Sequence, residues 1–110
     1  MKIFGLFVAF TLICFALSPR ARAVCQDGCD SATYNTFQGN DALTNNITGI
    51  ANTALGWRSL YSNTIASYNT AVGAGALALA GGITLDSRNT AVGALALLLN
   101  TGLDNTAVGT

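Results

Sequence analysis

The sequence contains no histidine and no glutamate, and its single lysine is Lys2. Without imidazole there is no His-based catalytic triad and no histidine metal site. Charged residues make up only 9% of the chain. Beyond residue 23 the cations are Arg58 and Arg88, set against Asp27, Asp30, Asp41, Asp86 and Asp104, a net charge of −3. That segment has no catalytic lysine and offers no basic surface to a nucleic acid. Hydroxyls and carboxylates are present, but no base of suitable pKa is placed to activate one. No catalytic residue, cofactor or metal is therefore expected. What the chain has in plenty is Ala, Gly, Asn, Thr and Leu, a composition that suits a repetitive structural protein better than an enzyme.

The N-terminus reads differently from the rest. Lys2 is followed by fifteen largely apolar residues, Ile3 to Leu17, then Ser18-Pro19 and the triplet Ala21-Arg22-Ala23. A membrane-spanning helix needs about 20 apolar residues, so this run is short for an anchor. A charged start, a short apolar core and a small-x-small triplet read as a secretory signal over residues 1–23, cleaved before Val24. The mature chain of 87 residues (24–110) is then one domain at most, secreted or at the cell surface, with no transmembrane segment. Cys14 leaves with the leader, and Cys25 and Cys29 remain. In an oxidising compartment they are expected to pair, stapling an N-terminal segment over residues 24–33. So small a loop removes little chain entropy, so the bond would act locally. Asp27, Gly28 and Asp30 in and beside that loop lack the regular oxygen-ligand spacing of a calcium site and read as solvated loop.

From residue 34 the chain repeats itself. Asn-Thr-x-x-Gly occurs five times, from Asn35 to Gly39, Asn52 to Gly56, Asn69 to Gly73, Asn89 to Gly93 and Asn105 to Gly109. The starts lie 17, 17, 20 and 16 residues apart. Four residues after each of the first four glycines stands a leucine: Leu43, Leu60, Leu77 and Leu97. Eleven residues after each of the first four starting asparagines come Asn46, Asn63, Ala80 and Asn100. A three-residue insertion falls near residues 81–87, and the fifth unit is incomplete at Thr110.

The period predicts the geometry. Units near 17 residues are too short for paired helices, which need about 33 or more. They suit one coil of a parallel β-solenoid, two short strands joined by tight turns. Thr-Ala-Val-Gly alternates, placing Thr70 and Val72 on one side and Ala71 and Gly73 on the other. Glycine supplies the positive φ of a sharp corner, and asparagine tolerates the same region. Stacked coils about 4.8 Å apart bring equivalent residues into ladders, with each asparagine amide bonding to the amides above and below. The Ala/Leu runs at 76–80 and 94–99 favour helix by propensity. They are too short for a stable helix, and the leucines keep the repeat register, so strand is expected there. One coil buries too few large apolar residues to offset the ordering of its backbone. The small-residue face of Ala54, Ala71 and Ala91 is therefore expected to pack against sister chains.

Repeated Asn-Thr-Ala-Val-Gly followed by Ala-Leu and a further Asn-Thr resembles the head repeats of trimeric autotransporter adhesins, the YadA-like head family. The resemblance covers Tyr34 to Thr110 and carries over to Asn69, Thr70, Val72, Gly73 and their counterparts. It implies a left-handed β-roll, three chains packed into a compact head, and display at a cell surface, the outer membrane of a bacterium, for attachment to host matrix or other cells. An extracellular-matrix or glycan ligand is the expected partner. The first copy departs from the pattern with Phe37-Gln38 and reads as a capping coil. No heptad stalk or C-terminal membrane-barrel segment is seen.

Three residues stand out as ligand candidates: Trp57, Arg58 and Tyr61, of the types that most often anchor interfaces. Their structural alternative is to cover the seam between coils. Asn46-Ile47-Thr48 is a glycosylation sequon. The leading reading is a non-enzymatic adhesin head acting as a homotrimer. The alternative is a spike or tail-fibre-like shaft segment without a ligand of its own. An ice-binding solenoid built on a threonine ladder ranks below both, because residues 38, 55, 72, 92 and 108 supply no second threonine row.

Overall fold

A computed structural model describes residues 2–16, 27–80 and 85–110. Helix α1 spans Lys2–Ala16 and makes no contact with any strand. It is not long and apolar enough to cross a membrane. The cleavage triplet Ala21-Arg22-Ala23 and Cys25 lie outside the described residues, and with them the expected disulfide; Cys29 is exposed.

The strands are β1 (Asp27–Asp30), β2 (Asn35–Gln38), β3 (Thr53–Leu55), β4 (Thr70–Val72), β5 (Thr90–Val92) and β6 (Thr106–Val108). They form one sheet in chain order, parallel from β2 to β6. The architecture is a parallel β-solenoid of about 4 turns, as the period predicts. Register is strict, with Thr36, Thr53, Thr70, Thr90 and Thr106 aligned in one row. Phe37, Ala54, Ala71, Ala91 and Ala107 follow in the next. Strand β1 instead pairs antiparallel with β2 and covers the outer edge of the first coil. Gly28 makes room there, since a Cβ at that position would meet the Phe37 ring at 2.7 Å.

The alanine row does not face sister chains. Ala54, Ala71 and Ala91 are each 0% exposed within the single chain, where they pack with Ala42, Leu43, Leu60, Ala76, Leu77 and Ala96. The leucines Leu43, Leu60 and Leu77 fill the coil interior opposite the sheet, and from β3 on the sheet turns a methyl toward them. In the first coil the same row carries the larger Phe37, partly buried under Gly28. The outward row is therefore the larger one, Gln38, Leu55, Val72, Val92 and Val108, and none of these is buried.

The second expected strand is also absent. Residues 73–80 and 93–100 form successive turns, with Ala76, Ala78 and Ala80 N–H groups donating to Gly73, Gly75 and Leu77 carbonyls. The intervening Leu77 and Leu79 N–H groups reach the next coil, at Ala96 and Leu98. Positive φ makes this possible, at Asp41, Arg58, Gly75 and Leu95 and again at Leu43, Leu60, Leu77 and Leu97. A third left-handed site precedes each ladder asparagine: Tyr34, Ala51, Tyr68, Arg88 and Asp104. The corner glycines Gly39, Gly56, Gly73, Gly93 and Gly109 hold φ between 124° and 133°. Conformation is only half the constraint: a Cβ on Gly56 would stand 2.6 Å from the Gly73 carbonyl oxygen of the next coil.

Candidate functional site

The asparagine ladder is built differently from the expected amide-to-amide stack. Each Asn backbone N–H donates to the Oδ1 of its counterpart one coil earlier: Asn52 to Asn35 (2.8 Å), Asn69 to Asn52 (2.9 Å), Asn89 to Asn69 (3.0 Å) and Asn105 to Asn89 (2.9 Å). The corner takes this N–H out of the strand ladder, and a buried donor must find a partner. An asparagine one coil back supplies an acceptor and still has two donors to place. Those donors run across the coil. Asn52 and Asn63 both donate to the Ala66 carbonyl, at 2.9 and 3.0 Å. Asn35 and Asn46 clamp Gly49, and Asn89 and Asn100 clamp Gly102, in the same way. Direct amide-to-amide bonds are few: Asn63 to Asn46 at 2.9 Å, with longer ones from Asn69 and Asn105. Ala80 interrupts the second set, leaving a cavity of about 10 Å³ beside Asn63 and Asn100. These residues hold the fold. The sequon residue Asn46 is one of them, its Nδ2 bonded to Gly49 and its Oδ1 accepting from Asn63, so the folded coil does not present it as a free amide.

Trp57, Arg58 and Tyr61 do come together. They occupy the turn side of the second coil, where the left-handed backbone at Arg58 places its guanidinium carbon over both rings, 5.0 Å from the Trp57 centroid and 4.9 Å from that of Tyr61. Cations are attracted to ring faces at such distances. Arg58 Nε also donates to Asp41 Oδ2 of the coil before, at 3.4 Å. The aromatic pair thus clasps a cation, and half of Trp57 (52%) remains exposed.

Beside this clasp runs a groove that no single repeat reveals. Gly75 and Ala78 stand where the second coil has Arg58 and Tyr61 and the fourth has Leu95 and Leu98. Small residues between two bulky coils leave a trough of about 190 Å³, edged by Trp57, Arg58 and Tyr61 on one side and Leu79, Leu95 and Leu98 on the other. Reading the sequence across coils at equal repeat positions would have exposed the mismatch. The second arginine is unlike the first. Arg88 donates twice to Asp104, at 2.6 and 3.2 Å, and lies 3.9 Å from Asp86. The hydrogen bond from Arg88 holds the Asp104 carboxyl below its ordinary value. Asp30, in β1, is lowered mainly by the Thr33 hydroxyl and then by the Ala32 N–H, both of which bond its carboxylate.

Comparison with protein-family models, curated proteins and solved structures finds no match to the chain.

Proposed function

We propose that the chain is a non-enzymatic attachment module, an adhesin-like head presented by a secreted or surface-bound protein and assembled as a homotrimer. The observation that carries the reading is an in-register solenoid that bears on the turn side of its second coil a partly exposed aromatic-cation cluster, Trp57, Arg58 and Tyr61. Such a body displays side chains at fixed spacing, which suits multivalent attachment to matrix or glycan. With the alanines inside, the face for sister chains is the sheet exterior. Its threonine row and its Gln38, Leu55, Val72, Val92 and Val108 row include no charged residue. An uncharged, flat, partly apolar surface is the kind that subunits cover.

Two measurements test this. Light scattering of the full chain should give a trimer mass, and Val72→Glu with Val92→Glu should return it to monomer by placing charges in the interface. A wild-type monomer that melts cooperatively would overturn the trimer. Immobilised matrix proteins and glycans should retain the full chain. A chain that binds none of them fits the alternative, a shaft segment, for which the continuous ladder from Asn35 to Asn105 is the supporting observation.

A further inference from the structure

We infer that the groove between the second and fourth coils is a binding site for a carboxylate-bearing pyranose, an acidic sugar unit of a larger glycan. The inference rests on the attachment reading and names the chemistry it would use.

The charge comes first. Arg88 is matched by two carboxylates, whereas Arg58 has a single contact, to Asp41 through Nε. The Arg58 terminal nitrogens have no hydrogen-bond partner among the described residues. An arginine ordinarily gives up much side-chain freedom when it binds an anion. Here the Trp57 and Tyr61 rings already hold it, so a carboxylate meets a guanidinium whose position is fixed in advance.

The walls come second. Leu79, Leu95 and Leu98 form an apolar bank opposite the clasp, with Gly75 and Ala78 below. At about 190 Å³ the trough is smaller than the roughly 300–1,000 Å³ of drug-sized sites, and it suits one ring. A pyranose offers an apolar C–H face to such a bank. Its hydroxyls are left for the polar atoms of the lining residues Trp57 and Tyr61, whose indole N–H and phenol have no hydrogen-bond partner among the described residues. An alkyl chain would leave those groups unused, and a neutral sugar would leave the terminal nitrogens of Arg58 without an anion.

The test reads Trp57, the sole tryptophan, by its fluorescence. A disaccharide containing glucuronate should titrate the signal of the full chain, and its carboxyl-reduced counterpart should bind at least about tenfold more weakly, the loss expected for one charge-assisted bond. Arg58→Gln should weaken the acidic sugar by a similar factor. Ala78→Leu should abolish its binding while leaving the clasp intact, because it places in the third coil the residue that the fourth carries as Leu98. Equal titration by both sugars, no titration by either, or unchanged binding in Ala78→Leu would overturn the site. Stronger binding of acetate, or of a peptide ending in leucine, would overturn the sugar as its occupant. Retention on matrix or glycan surfaces is measured in parallel. Retention that survives both variants would remove the groove and keep the attachment reading. A saturable Trp57 response without retention on any surface would keep the groove and remove that reading.

Discussion

The two sides of each coil obey different rules. On the strand side, three residues per coil repeat almost without change, Thr-Ala-Leu or Thr-Ala-Val from β3 to β6. On the turn side, equivalent positions carry Asp41, Arg58, Gly75 and Leu95. The strand side is constrained from within: its alanines are fully buried, its glycines touch the next backbone, and its asparagines satisfy a donor of the next coil. The turn side alternates: the left-handed leucines Leu43, Leu60 and Leu77 are buried in the core, whereas the left-handed positions two residues before them carry the varied set. Repetition marks what holds the stack together, and variation marks where a surface can be shaped.

Substitutions that break this contrast should rank accordingly. Gly73→Val forces a β-branched residue to φ 133° and against the Gly93 backbone, and should cost more than about 3 kcal/mol. Chemical denaturation measures it, and a loss below about 0.5 kcal/mol would mean that the corner can relax. Asn52→Ala strands the buried Asn69 N–H and removes a bond to Ala66, and should cost about 2–4 kcal/mol. Asn→Asp at the same site keeps the acceptor but loses the donor, which separates the two contributions.

One substitution should change sign between the sides. Ala71→Gly removes a buried methyl from a strand and should destabilise by about 1–1.5 kcal/mol. Ala51→Gly relieves a left-handed backbone (φ 54°) and should stabilise by about 0.5 kcal/mol. Equal effects at both positions would erase the distinction. The smallest effect is electrostatic. Because Arg88 lowers the Asp104 carboxyl, the ionised pair stabilises the fold at neutral pH, and that contribution is lost as pH falls below about 4. Thermal melts should show part of the acid-induced drop disappearing in Arg88→Gln.

The same contrast explains what could be read in advance. The period, the corner glycines, the ladder asparagines and the alternation of Thr/Val with Ala/Gly were legible because every coil restates them. The destination of the alanine row was not. Hydrophobicity favours the larger valine for burial, and the leucines that fill the closed coil from the turn side reverse that order. The turn run was misread as strand because left-handed conformations are expected of Gly, Asn or Asp, whereas here Leu60, Leu77, Tyr68 and Arg58 adopt them. Trp57, Arg58 and Tyr61 were recognisable by type. Their cation clasp depends on that unexpected backbone, and the groove beside them depends on differences between coils.

The reversal of direction at β1 has a consequence for how further copies can join. A parallel solenoid edge is a template for further strands, and copies stacking end to end through such edges would polymerise without limit. At the first coil the template is already occupied by Asp27–Asp30 running the opposite way, with Phe37 seated under Gly28. A second copy therefore cannot continue the parallel stack directly on β2; at that end it would meet the outer edge of an antiparallel strand, which interrupts the coil-on-coil repeat.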